Sequence, residues 1–198
     1  MLAPMTHFFR CFWAVVLALG LPMAGAQTRT VPRVVPKPAV AEPRTQPSAA
    51  LPVPIGSGFT LRGLTLQGQV FGLSLLRGRV VLIHYWATDC AVCLDKMADL
   101  RRRAEAWQGQ RFSVVYVQMD KQLASAQSYW QMVGMTQRGG SPATVLWRRD
   151  AAYRDSLPLS RPTTLPFSVL LNPEGRVVTS VEGRIPPQIW AQVAEQLR

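Results

Sequence analysis

Val80-Val81-Leu82-Ile83-His84-Tyr85-Trp86-Ala87-Thr88-Asp89-Cys90-Ala91-Val92-Cys93 is the stretch that decides the fold. Its first half is a nearly continuous apolar run of β-branched and aromatic residues, as in a central strand covered on both faces. Beyond it, Cys93, Met97, Leu100, Ala104 and Trp107 recur every three or four positions, which predicts a helix with one buried face. The cysteine pair therefore falls where a buried strand gives way to a helix. The free N–H groups and positive dipole end of a helix start favour an anion. A thiol placed there loses its proton more readily, and the thiolate is the reactive species. Two cysteines three residues apart in a first helical turn can close a disulfide. The exposed one attacks, and the other displaces the mixed disulfide. Cys90 is assigned as nucleophile and Cys93 as resolving thiol.

Working outward, Phe59 to Leu66 alternates weakly and reads as a strand, and a turn with a short apolar segment occupies Gly68 to Gly78. Arg111 to Met119 reads as a strand, Gln122 to Met132 as a helix, and Ala143 to Trp147 as a further short strand. Pro166 opens a strand from Phe167 to Leu171, Asn172-Pro173-Glu174-Gly175 is a turn, and Arg176 to Glu182 returns as the hairpin partner. Pro187 sits near the start of a last helix, whose stripe is Ile189, Trp190, Val193, Ala194 and Leu197. The order β-α-β-α, hairpin, α predicts an α/β arrangement, a central mixed β-sheet flanked by helices.

The chain has 198 residues and three cysteines, Cys11, Cys90 and Cys93. A bridge across two residues closes almost no loop, so Cys90 and Cys93 are no structural staple. They are redox-active, bind metal, or are incidental. A zinc site usually needs four ligands, and beyond the pair only His84 is at hand in the region after residue 26. No metal is expected. The formal net charge is +11. The charge is mostly scattered arginine, and the run Arg101-Arg102-Arg103 falls on a helix as a solvated face. With no nucleic-acid module present, charge alone assigns no nucleic-acid partner.

Residues 1–26 read as a secretory signal. Met1 to Arg10 ends in a positive charge, Cys11 to Leu21 is apolar, and Ala24-Gly25-Ala26 offers small residues at a cut after Ala26. The apolar run is short against the ~20 residues that span a bilayer, though an uncleaved anchor is the competing reading. Either way the remainder is placed outside the cytoplasm, periplasmic or otherwise extracytoplasmic. Residues 27–58 hold seven prolines and no aromatic residue, and read as a disordered linker. In extended polyproline form, at ~3.1 Å per residue, it reaches at most about 100 Å. The folded domain is expected over 59–198.

The domain resembles the TlpA-like and ResA-like branch of the thioredoxin superfamily. The resemblance rests on Phe59-Thr60-Leu61, Gly68, Leu73-Ser74-Leu75-Leu76-Arg77-Gly78-Arg79, the strand Val80 to Tyr85, Trp86-Ala87-Thr88-Asp89-Cys90-Ala91-Val92-Cys93, and Pro166 to Gly175. It implies a thioredoxin-like fold with an N-terminal β-hairpin extension. It also implies thiol–disulfide exchange with exported proteins, apocytochromes and copper-site proteins among the family's clients, and no cofactor beyond the Cys90–Cys93 disulfide. A membrane electron donor is the implied partner, with a membrane tether if the N-terminus stays uncleaved. Pro166 would be the family's cis-proline, with Ala91, Val92 and Leu165 joining it in an apolar rim for the client, and Trp86 packing beneath the disulfide and only secondarily touching the client.

Three departures from the family pattern bear on the redox potential. Asp89 stands where a bulky residue is common, and a carboxylate there opposes thiolate formation. Ala91-Val92 replaces the usual proline-containing pair, and Lys96 stands where some members carry Glu. His84 occupies a position where thioredoxins bury an acid. With an ordinary pKa of ~6.5 it is a candidate to move the proton when Cys93 becomes a thiolate. The alternative is a core histidine held by a backbone carbonyl. Two other functions compete with the oxidoreductase: a non-catalytic binding module and a copper chaperone. The chaperone resemblance needs Cys-x-x-x-Cys and a distant histidine, and no histidine follows His84. A peroxidase lacks its Pro-x-x-x-Thr-x-x-Cys pattern here.

Overall fold

The computed structural model describes residues 54–107, 109–136, 143–158 and 161–198. The predicted signal, and the proline-rich stretch up to residue 53, lie outside the described residues. The elements are β1 (Leu61–Leu64), β2 (Val70–Gly72), a 3-10 turn (Leu73–Leu76), β3 (Val80–Trp86), α1 (Ala91–Ala106) and β4 (Phe112–Gln118). They continue with α2 (Leu123–Thr136), β5 (Thr144–Trp147), β6 (Arg154–Asp155), β7 (Phe167–Leu171), β8 (Val177–Glu182) and α3 (Pro187–Gln196).

All seven residues of β3 are buried. The strand lies in the middle of a five-stranded mixed sheet of order β5-β4-β3-β7-β8. It runs parallel to β4, with Trp86 opposite Gln118, and antiparallel to β7, with His84 opposite Ser168. Alternation then divides its side chains. Val80, Leu82 and Trp86 join Cys93, Met97 and Leu100 of α1 and Ile189 and Val193 of α3. Val81, Ile83 and Tyr85 face the other way, onto Phe59, Leu61, Phe71, Leu73, Tyr153 and Leu157. That second layer is a small sheet of order β2-β1-β6, the predicted hairpin plus a strand the sequence did not suggest. Gly63 permits its close approach: a Cβ there would sit 3.0 Å from Leu146 Cδ2 and 3.4 Å from the Tyr153 backbone.

The last part of the proline-rich stretch is tied to the sheet. The Gly56 N–H donates to the Val177 carbonyl at 2.7 Å, and the Val177 N–H to the Ser57 carbonyl at 2.9 Å, so pairing begins before Phe59. Helix α2 runs to Thr136, four residues past the predicted Met132. The predicted turn after β7 is present, with Gly175 at φ +74, a conformation glycine adopts without steric cost. Among the described residues no helix is long and apolar enough to cross a membrane.

The two sheets are joined by a buried polar cluster. Asp155 Oδ2 accepts from Tyr85 Oη at 2.9 Å, Tyr153 Oη at 2.6 Å and Arg148 Nη1 at 3.1 Å, and its Oδ1 accepts the Leu157 N–H at 3.0 Å. The Arg148 and Asp155 side chains are only 8% and 3% exposed. Burial, together with the Asp155 carboxylate, pushes both phenols well above their ordinary range. Removing one partner of such a pair strands a buried charge. Asp155→Ala should therefore lower the unfolding free energy by about 3 kcal/mol in denaturant titration. A loss under about 1 kcal/mol would show that the cluster contributes like an exposed pair.

Candidate active site

Strand β3 ends at Trp86 because the chain must leave the sheet to start α1. The Cys90 N–H returns to the Ala87 carbonyl at 3.3 Å, which tightens the connecting turn. Cys90 is the N-cap of α1, with extended backbone, and its sulfur accepts the Cys93 N–H at 3.2 Å. This is the orphan donor that a helix start leaves unpaired. The two cysteines are joined as a disulfide with Cα atoms 5.2 Å apart. They are not equivalent. Cys93 is 1% exposed, in the core layer with Met97 and Leu100, whereas Cys90 is half-buried.

The Leu165–Pro166 bond is cis, as the resemblance implied, and a second cis bond, Arg161–Pro162, was not foreseen. Pro166 lines a cavity of about 980 Å³ that also reaches Cys93 and His84 and opens between α1, the end of β8 and the start of α3. Around Pro166, Leu165 is half-buried and touches both core layers. Ala91 and Val92 are exposed, Val92 by 43%. Trp86 is fully buried, in keeping with packing beneath the disulfide, and offers no surface for the secondary role of client contact. Its ring packs edge-on against Tyr129 at 4.6 Å and Trp130 at 6.1 Å, so it is part of the floor below the cysteines. The exposed apolar side chains at the start of α1 are Ala91, Val92 and Leu94, and Leu165 is partly exposed.

His84 is 4% exposed, and its Nδ1 lies 2.8 Å from Ser168 Oγ on the neighbouring strand. The partner is thus a hydroxyl rather than the backbone carbonyl of the alternative reading. Burial lowers its pKa to about 3, so the ring is neutral near pH 7. Ser168 could not be singled out from sequence, because only the β3–β7 register puts it opposite His84. Asp120 is a second residue the sequence reading passed over. It follows β4, is 4% exposed, and takes the Thr88 N–H on both carboxylate oxygens, at 3.1 and 3.3 Å. A carboxylate just beyond the C-terminal end of a parallel strand, beside the crevice where such sheets hold their sites, was the available signal. Among the described residues no group of three or more His, Cys, Asp or Glu could hold a metal ion.

Comparison with known proteins agrees with this geometry. The thiol-disulfide oxidoreductase ResA of Bacillus subtilis is 25% identical over 117 residues, 59% of this chain. The chain spans about 60% of that relative's length. A DsbF homologue from Corynebacterium diphtheriae superposes with a TM-score of 0.57 at 19% identity, over 79% of this chain and 96% of the other. The thioredoxin domain of a thiol-disulfide oxidoreductase from Bacteroides vulgatus gives 0.57 at 18% identity, over 74% and 99%. At these identities the structures establish the thioredoxin-like fold. The sequence model of the AhpC/TSA family matches residues 55–184, from the tied-down end of the proline-rich stretch to the approach of α3, and the chain belongs to the AhpC/TSA family.

Proposed function

We propose that the protein is an exported thiol–disulfide oxidoreductase that reduces disulfides of client proteins outside the cytoplasm. The observation that carries this reading is the asymmetry of the pair: a half-buried Cys90 on a helix N-terminus, a buried Cys93, and cis-Pro166 lining the same cavity as Cys93. The relatives named for thiol–disulfide exchange support it.

In the reduced protein the Cys90 thiolate keeps the Cys93 N–H as a donor and feels the α1 dipole, and both favour its ionised form. It attacks one sulfur of a client disulfide. A Cys90–client bond forms, and the client's other sulfur leaves as a thiolate. Cys93 then gives up its proton and attacks the Cys90 sulfur, which closes Cys90–Cys93 and expels the second client thiolate. The client gains two electrons and the protein loses two, so a membrane electron donor must restore the dithiol. The apolar rim of Ala91, Val92 and Leu165, with Pro166, receives an extended client segment. His84 lines the same cavity as Cys93, but burial lowers its pKa to about 3, too weak a base to hold the thiol proton near pH 7. The ring stays neutral on Ser168, and the Cys93 proton passes to water in the cavity. The signal read at residues 1–26 supports export, with a membrane tether if it is retained. The clients proposed are of the kind handled by the resembling family, apocytochromes or copper-site proteins.

Cys93→Ser should leave Cys90 able to attack but unable to be released. Incubation with insulin should then accumulate a covalent mixed disulfide that mass spectrometry places at Cys90. Equal trapping by Cys90→Ser would reverse the assignment.

His84→Asn should therefore leave the resolution step near pH 7 within about twofold of the wild-type rate. A tenfold slower step with a shifted pH–rate profile would instead put His84 on the proton path. The same histidine makes stability depend on pH. Its folded pKa lies below the unfolded value of 6.5, so below pH 6.5 the unfolded chain takes up a proton that the folded one refuses. Stability contributed by this group is complete above pH 6.5. It falls by up to about 1.4 kcal/mol per pH unit as pH drops toward 3. His84→Asn should flatten that slope in denaturant titrations between pH 6.5 and 4.

A further inference from the structure

We infer that Asp120 is a positioning residue for Cys90, acting through Thr88. This rests on the reading of Cys90 as the attacking thiol.

The Asp120 side chain is buried in the core beneath the Thr88–Cys90 turn, on a segment remote in sequence from the cysteines. Its Oδ1 accepts both the Thr88 N–H, at 3.1 Å, and the Thr88 hydroxyl. Its Oδ2 accepts from Gln118 Nε2. Gln118 is fully buried and is held in turn by Trp130 Nε1 of α2, which donates to its Oε1 at 3.2 Å. The Asp120 carbonyl accepts from Trp147 Nε1 of β5 at 2.9 Å. Every side-chain contact on the carboxylate is thus a donor, which suits a group that only accepts. Two tryptophans from different elements fix it from behind, and it grips the turn from below.

A buried carboxylate is costly unless fully hydrogen-bonded, and an apolar side chain would fill this space at less cost. What the carboxylate provides here is two bonds to one residue. They fix both the backbone and the side chain of Thr88, two positions before Cys90. From Thr88 the chain has only Asp89, which is exposed, before it reaches the nucleophile. The Cys90 N–H closes on Ala87, so the turn is anchored at its first residues and free at its tip. The position of the Cys90 sulfur over the α1 N-terminus and over Cys93 is therefore set largely by the grip on Thr88. Misplacement of a reacting group by about 1 Å can cost as much as a hundredfold in rate, because the effective concentration of one group at the other depends on their alignment.

The test is the equilibrium in which glutathione disulfide closes Cys90–Cys93 and is reduced to two glutathione molecules. Thr88→Val is nearly isosteric and removes only the hydroxyl. It should lower that closure constant about tenfold in protein that remains folded when reduced, and Thr88→Ser should restore it to within about twofold. Asp120→Asn should lower it in the same direction. A Thr88→Val constant within twofold of wild type, or a loss that Thr88→Ser does not restore, overturns the proposal. So does an Asp120→Asn protein that only ionises Cys90 more readily, since that marks a charge effect without positioning. If Asp120→Asn does not fold, the two Thr88 variants decide. Should the wild-type pair itself not close with glutathione, the oxidoreductase reading falls first, and the outcome is distinct from failure of the Thr88 variants alone.

Discussion

The bond from the Cys93 N–H to the Cys90 sulfur is the contact on which the rest of this structure converges. It exists because a strand buried on both faces must end and a helix must begin within a few residues. At that point the helix has donors without partners. Filling one of them with sulfur satisfies the backbone and, in the reduced protein, stabilises the charge on which exchange chemistry depends. Around this point the two core layers have different tasks. The α1–α3 layer buries Cys93 and holds His84, while the β2-β1-β6 sheet seals the opposite face through Tyr85, Tyr153, Arg148 and Asp155.

Most of this was legible in the sequence, and for physical reasons. The run from Val80 to Trp86 could only be covered on both faces, and the three-and-four spacing from Cys93 onward could only be a helix with one face inside. Together they placed the cysteine pair. The turn at Asn172 to Gly175 and the proline at the start of α3 were read from residues whose backbone preferences are strong. What escaped was set by pairing at a distance. Strand β6 is two residues long and exists because Asp155 and Arg154 meet Leu61 and Arg62. Ser168 matters only because it lies opposite His84, and Asp120 only because parallel pairing of β3 and β4 brings it under Thr88.

The sequence offers Trp86 first as packing beneath the disulfide and only second as a client contact. The parity of β3 turns its ring inward, onto Tyr129 and Trp130, which leaves the first role and removes the second. Adjacency in sequence to a reactive group is thus poor evidence of exposure at the end of a buried strand. The exposed apolar side chains come from the helix instead, at Val92 and Leu94.

The central claim is that Cys90 and Cys93 form one reversible two-electron couple. Equilibrating the protein in graded dithiothreitol buffers and counting free thiols by mass tests it most directly. The account predicts that both thiols appear together in a single transition, with a midpoint below roughly −230 mV, in the range where dithiol proteins act as reductants. Loss of one thiol without the other, or no transition at all, would contradict it and leave the fold as a binding scaffold.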